Sequence, residues 1–338
     1  SFFVEGESVL ALDDDAYWDG VSSPNGESLV ADPETSEVNQ AYLQLEPELG
    51  ATRLAGGRQR ITLDDHRFVG NVGWRQNEQT FDAARFESDM GFEKLSLFYA
   101  FVWDVNRIFG DKSSAPPATR DFDSSSHLAR LHYEIAPWLE GTLFGYFLDL
   151  DNRAGDGASS QSYGLRLEGS REIAPRTQLA YLFSYAYQAD AADNPVDYGA
   201  HYLRVDGSLG RDAWGRVGVG YEQLGSDDGE AQFLTPLATL HGFNGWADAF
   251  LDNGGPEGLR DFSAYVAPAL PLGLEAKLVY HEFWNDDDGD PLGFEVDALL
   301  RKAVNAHLSV LAKVAWFEGR RRGPEDRRRV WLQTTFRF

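Results

Sequence analysis

Segments of about ten residues in which apolar side chains take every second position recur along the chain, each bounded by turn residues. Leu95, Leu97, Tyr99, Phe101 and Trp103 alternate with Lys94, Ser96, Phe98, Ala100 and Val102. Leu179, Tyr181, Phe183, Tyr185 and Tyr187 alternate with Gln178, Ala180, Ser184 and Gln188, and Leu308, Val310, Ala312, Val314 and Trp316 with Ser309, Lys313 and Ala315. A period of two puts neighbouring side chains on opposite faces of a strand, so each segment predicts one oily face and one wet or small face. Sixteen strands are expected, at 2–10, 38–46, 53–61, 80–87, 95–104, 126–135, 140–149, 162–169, 177–188, 201–209, 216–223, 262–267, 274–284, 292–302, 307–317 and 329–338. Residues 67–74 fit either a further strand or part of a loop.

Alternation alone does not separate a soluble sandwich from a membrane barrel. Three further features favour the barrel. Connections alternate in length: short ones fall near 46–51, 88–92, 135–139, 171–177, 210–214, 268–273 and 302–307, with longer loops between them, such as the Asp-, Gly-, Pro- and Ser-rich 104–124 and 225–259. That rhythm is the one of periplasmic turns and extracellular loops. Tyr99 and Trp103, Tyr185 and Tyr187, Tyr280 and Trp284, and Trp316 crowd the ends of oily stripes, the level of lipid headgroups. The last residues, 330–338, alternate up to a terminal Phe338 and are similar to the C-terminal signal read by the barrel-assembly machinery of Gram-negative bacteria. The expected fold is an all-β, transmembrane, antiparallel up-and-down barrel of about 16 strands (16–18), one domain over 1–338 with both termini on the short-turn side. An even count lets strand one close against strand sixteen and leaves no raw edge in lipid.

Composition narrows the picture. No stretch of about 18 apolar residues exists, so no transmembrane helix is predicted. The chain has 338 residues and no Cys, which rules out disulfides and thiolate chemistry. Its net charge of -24 argues against nucleic acid as a partner, since phosphate binding needs a basic face. Much of the acid lies in stretches such as 13–15 and 286–290, which read as solvated loops. Neither run of Asp has the spacing of a tight Ca²⁺ loop, so no metal site or cofactor is expected, only weak bridging of loop acids to lipopolysaccharide by divalent ions. The opening Ser1-Phe2-Phe3 has no basic or apolar leader, and the chain is read as a mature form whose signal peptide has been removed.

With oily stripes facing outer-membrane lipid, the intervening residues face the lumen. The basic members are Lys94, Arg130, Arg166, Arg204, Arg216, Lys277, Lys313 and Arg329, with Arg58, Arg60 and Arg85 on strands that alternate poorly; the acidic ones include Glu134, Glu168, Asp206, Glu222, Glu275, Glu295 and Asp297. Several acids sit two residues from a base on the same face, so ion pairing across neighbouring strands is one reading. The other is a positive constriction of unpaired Arg that selects anions or carboxylated solutes. In the loop at 225–259, Leu234, Leu237, Leu240, Phe243, Trp246, Ala247 and Phe250 recur every three or four residues behind Thr235 and Pro236. That spacing predicts a short helix, either folded into the lumen as a constriction or covering the rim as a lid.

The runs GRQRITLDDHRFVGNVGWRQNEQTFDA at 57–83 and TPLATLHGFNGWADAFL at 235–251 resemble the alginate-export family of outer-membrane barrels. The resemblance implies a porin-like channel in a Gram-negative outer membrane, with inward Arg residues lining the pore; Arg58, Arg60, Arg75 and Arg85 lie in or beside the first run and inherit that role. The near balance of acids and bases in the lumen weakens the transfer of alginate itself as solute.

The function expected is passive passage of small or oligomeric hydrophilic solutes, with carboxylated ones preferred. A plugged structural or adhesive barrel and a polysaccharide exporter proper are the alternatives. An enzyme is disfavoured: no G-x-S-x-G or H-E-x-x-H motif occurs, the seven His are scattered, and His281 and Glu282 lie on opposite strand faces. Oligomeric state is not readable from these residues.

Overall fold

The computed structural model describes the chain except residues 14, 15, 25, 28, 48–50, 111–118 and 153–156. Parts of the acidic run at 13–15, the turn at 46–51 and the loop at 104–124 therefore lie outside the described residues. The period-two segments form sixteen strands of seven residues or more. They are β1 (Phe2–Val9), β2 (Thr35–Leu45), β3 (Arg53–Gln59), β4 (Thr80–Ser88), β5 (Leu95–Asn106), β6 (Phe122–Ala136), β7 (Leu139–Leu148) and β8 (Ser160–Ala174). The second half holds β9 (Thr177–Asp190), β10 (Gly199–Arg211), β11 (Gly215–Leu224), β12 (Leu259–Pro268), β13 (Leu274–Trp284), β14 (Pro291–Ala303), β15 (Leu308–Gly319) and β16 (Arg327–Phe336). Each pairs antiparallel with the next in the chain, from β1 with β2 to β15 with β16. Residues 67–74 are loop. No helix among the described residues is long and apolar enough to cross a membrane.

The two faces of the strands differ as the alternation predicts. On β9, Phe183, Tyr185 and Tyr187 are about 40% exposed, whereas Ser184, Ala186 and Gln188 on the other face are buried. On β15, Val310, Val314 and Trp316 point outward and Lys313, Ala315 and Phe317 are buried. From Leu179 to Tyr187 the outward stripe runs eight residue steps; at about 3.3 Å per step and a tilt of about 40° this spans about 20 Å, close to the height of a membrane barrel's apolar band. Exposed Trp138 and Trp214 lie at the short-turn end of this band, and Trp103, Tyr280 and Trp316 toward the long-loop end.

The inner face departs from a uniformly wet stripe. Several inner rows divide into two halves along the strand. On β10, buried Ala200 and Tyr202 near the long-loop end give way to Arg204, Asp206 and Ser208 toward the short turns. On β6, Ser126 and Leu128 precede Arg130 and His132, and on β13 and β15 the long-loop ends carry Phe283 and Phe317. The upper interior is thus packed with buried apolar side chains, including Phe144, Tyr146 and Leu150.

The sheet curls so that its first and last strands flank one inner segment. The Glu78 backbone N–H donates to Glu7 of β1, and Trp331 of β16 meets Trp74 edge-on at 5.8 Å between ring centres. The expected hydrogen-bonded seam between strand one and strand sixteen is not among the described ladders. Outward Val4, Val330 and Leu332 on these strands are exposed.

Candidate functional site

Two loops fold into the interior, one joining β3 to β4 (60–79) and one joining β11 to β12 (225–258), and they dock on each other. Val69 and Leu237 form a parallel bridge, Gly70 N–H donates to the Leu237 carbonyl at 2.9 Å, and Thr239 N–H donates to the His66 carbonyl at 3.0 Å. A Cβ at Gly70 would lie 2.3 Å from Thr239 Oγ1, so only glycine allows this approach. The loops go inside because they carry apolar side chains that need burial. Ile61, Val69, Phe233 and Leu237 are completely enclosed, and Phe68 sits among Phe144, Tyr202 and Phe233 with ring centres 5.0–5.8 Å apart. Burying each such side chain contributes about 1.5–3 kcal/mol.

The helix expected in the second loop is replaced by a single 3-10 turn at Leu240–Gly242. Beyond it, Asn244 (φ 54°), Gly245 (φ 84°) and Asp248 (φ 54°) adopt left-handed backbone, which redirects the chain and stops a right-handed helix from propagating. The three-to-four spacing buries its apolar residues through tight turns instead.

Below the apolar layer, charged side chains form a belt that holds the loops. Arg166, Ser184, Arg204, Glu222 and Asp261 stand in one cross-strand row from β8 to β12. From the first loop, Asp65 bridges Arg166 at 3.0 Å and Arg204 at 2.8 Å, and Asp64 pairs with Arg130 at 2.7 Å. Burial opposes a charge on Asp65, yet the guanidiniums of Arg204 and Arg166 override it and hold the carboxyl below its ordinary value. Arg67, fully buried, donates to both oxygens of Glu222 at 2.8 and 3.1 Å and to the Asn244 side-chain Oδ1 at 3.0 Å. Tyr202 adds a hydroxyl donor to Glu222 at 2.7 Å.

The second loop is tied to β14, β15 and β16. Asp248 accepts from Arg75 at 3.0 Å, Arg329 at 3.2 Å and His241 Nδ1 at 2.7 Å. Burial pushes the His241 imidazole down to about 4 against the pull of Asp248, so the ring is neutral. Nδ1–H then donates to Asp248, and Nε2 accepts from Lys313 Nζ at 2.7 Å. The Lys313 ammonium also lies 4.1 and 4.0 Å from the ring centres of Trp74 and Trp246. Ala247 N–H donates to Glu295 at 2.7 Å and Trp246 N–H to Asp297 at 3.1 Å.

Most of the residues expected in the lumen therefore face inward, but with partners. Arg166 and Arg204 also pair along their own strands with Glu168 and Asp206, and Arg60 binds Glu78 at 2.7 Å. Arg85 lies 3.7 Å from Glu87, and Arg216 donates to Ser208. Lys277 rests 4.7 Å from the Tyr265 ring centre and has no ion pair among the described residues. Four placements differ. Arg58 is on the outer face, opposite buried Gln59, where it pairs with outward Asp82, because the register of β3 sets it against Ala41 and Asp82. Lys94 lies exposed in the turn before β5, and Glu134 and Glu275 are exposed at strand ends beside short turns, clear of the belt. Asp64, Asp65, Arg67 and Trp74 belong to a loop without periodicity, and His241, Asn244 and Asp248 to one whose spacing marks only its apolar residues; the two family-like runs are the sequence signal that touches them.

Cavities lie on both sides of the docked loops. A cavity of about 370 Å³ on the long-loop side is lined by Arg107, Asn152, Leu234 and Leu240 among others. Toward the short turns lie one of about 320 Å³, lined by Arg204, Lys277, Asp206, Glu222 and Asp261 among others, and one of about 660 Å³, lined by Arg53, Asp64, Arg130 and Glu168 among others.

A sixteen-strand meander with an oily outer band, aromatic ends, and loops folded into a charged interior defines an outer-membrane β-barrel. Its family follows from the sequence: the profile described as alginate export matches residues 2–307, and the chain belongs to that family of the Gram-negative outer membrane. Among solved structures, the outer membrane protein OprD from Pseudomonas aeruginosa superposes with a TM-score of 0.68 at 16% identity, covering 90% of this chain and 78% of that one. OpdL from Pseudomonas aeruginosa gives 0.65 at 17% identity over 90% and 83%, and OccAB4 from Acinetobacter baumannii 0.64 at 17% over 87% and 74%. At such identities the likeness is one of fold. Among curated proteins none matches this chain.

Proposed function

We propose that the protein is a porin-like channel for passive passage of small or oligomeric hydrophilic solutes, with carboxylated solutes preferred, and that the two docked loops form its constriction. The observation that carries this reading is the placement of cavities above and below the loops, within one barrel interior whose lower wall is polar. A barrel built only as an anchor has no need of a wet lower half. The preference for acids rests on Lys277, an ammonium with no ion pair among the described residues, on the wall of the 320 Å³ cavity, where the acids Asp206, Glu222 and Asp261 are engaged by Arg204, Arg67 and His281. Outward Asp82, Asp104 and Asp123, at the long-loop ends of β4, β5 and β6, suit divalent-bridged contact with lipopolysaccharide headgroups, and exposed Phe338 suits reading by the assembly machinery.

Reversal potential under a salt gradient in planar bilayers tests the preference. Wild type should favour the anion, and Lys277→Glu should move the potential toward cation selectivity. An unchanged potential in the variant removes Lys277 from the path, and a folded protein without conductance at both neutral and alkaline pH returns the reading to a plugged barrel.

A further inference from the structure

Glu295 and Asp297 stand two residues apart on the inner face of β14, and both are completely buried. One oxygen of each is used: Glu295 Oε1 takes the Ala247 N–H and Asp297 Oδ2 the Trp246 N–H, so two consecutive amides of the second loop hang on two neighbouring carboxylates. The other oxygens, Glu295 Oε2 and Asp297 Oδ1, have no hydrogen-bond partner among the described residues. The loop presses directly on the pair, since a Cβ on Gly245 would fall 2.4 Å from Glu295 Oε2.

Two buried carboxylates side by side cannot both carry full charge without a large desolvation and repulsion cost. A single proton held between the two unpartnered oxygens removes one charge and satisfies both atoms. Cations lie near the pair, but none of them hydrogen-bonds either free oxygen among the described residues. On β12, Asp261 is itself acidic and takes His281 Nδ1 at 2.9 Å; on β13, His281 Nε2 is 3.9 Å from Asp297, and Lys277 faces the cavity. On β15, Lys313 is engaged by His241, and on β16 Arg329 is engaged by Asp248, which also takes Arg75 from the first loop.

We propose that Glu295 and Asp297 share one proton and act as a titratable latch on the constriction, closed while the proton is held and released when it leaves at alkaline pH. The inference rests on the channel reading above. Loss of the proton leaves two buried anions facing each other; separating the loop admits water to both and joins the cavities above and below.

The test is single-channel conductance of the whole protein in planar bilayers from about pH 7 to about pH 10, the range in which buried carboxyls ionise. The open fraction should rise by up to about tenfold per pH unit, the slope of a one-proton step. Glu295→Gln keeps the acceptor for Ala247 and gives Asp297 an N–H donor in place of the proton. It should stay at the low-conductance level across the range, with His281 still present to titrate. A channel that conducts with an open fraction independent of pH overturns the latch, as does a wild-type response retained in Glu295→Gln. Heat-modifiable migration on a gel establishes that the variant is folded. The Trp246-dependent part of the tryptophan emission, taken as wild type minus Trp246→Phe, gives a readout that needs no conductance. A pH-dependent change there that Glu295→Gln abolishes sustains the latch even if no ion current is found and the channel reading falls, whereas no change overturns it.

Discussion

Arg67 shows how a single side chain can hold a loop inside a barrel. Its guanidinium is removed from water, and its fork matches the two oxygens of Glu222, with Asn244 joining the two loops at the same point. Breaking a buried pair by removing one partner costs about 3–5 kcal/mol, because the remaining charge is left uncompensated. Arg67→Met should therefore raise hydrogen exchange at the Gly70 and Thr239 amides by about two to four orders of magnitude. Adding Glu222→Gln should restore most of the protection, and a double variant as labile as the single one would mean that packing at Phe68, not the ion pair, holds the loop. His241 acts in the same place through its neutrality. Its value falls from 6.5 to about 4 on burial, so the released loop binds a proton more readily than the docked one between those values. Docking strength is then complete above about pH 6.5 and is lost as pH falls toward 4, by about 3 kcal/mol in all. Protection of the second loop against proteolysis should fall through that window, and His241→Asn should flatten the dependence.

At the scale of elements, the strands were the legible part. A period of two survives wherever one face meets lipid, as on β5, β9 and β15, because that face is uniformly oily whatever lies behind it. The inner face was harder to read. The pattern Ala200, Tyr202, Arg204, Asp206, Ser208 contains its change from packed to polar, but a reading that treats the stripe as one environment passes over it. Strand β3 misled for a related reason: Leu54, Gly56 and Arg58 share the outer face, so a charge at the rim looked like a lumen residue. The second loop shows the limit of spacing. Apolar residues every three or four positions need burial on one side, and a helix is only one way to arrange it; Gly242 and Gly245 with Asn244 between them supply turns that bring Phe243 beneath Arg67 and Arg204 at about 5 Å. The ion pairing of the lumen was half visible. Pairs along one strand, Arg166 with Glu168 and Arg204 with Asp206, follow from position, while Asp65 reaches the same two arginines, and Asp64 reaches Arg130, from a loop whose path no periodicity records.

For the whole molecule, the barrel and its contents do different work. The wall is held by consecutive antiparallel pairing and by the match of its outer band to lipid, neither of which calls on residues 236–250. The interior is held by two loops that share one seam, at Val69 and Leu237, and one polar belt. Removing the second loop should therefore open the path without unfolding the wall. Replacing 236–250 with a short Gly/Ser linker takes away Trp246, Ala247 and Asp248, the groups that engage β14, β15 and β16 either directly or through His241, and it strips the first loop of its partner at Gly70. The cavities above and below then communicate along the wall bearing Glu295, Asp297 and Lys313. Unitary conductance should increase several-fold, and migration on a gel should remain heat-modifiable. The variant should also lose the alkaline response, since the carboxylate pair would already face water. Conductance equal to wild type in a folded preparation would mean that the first loop alone sets the resistance, and the search for the constriction would move to Asp64, Asp65 and the guanidinium row they hold.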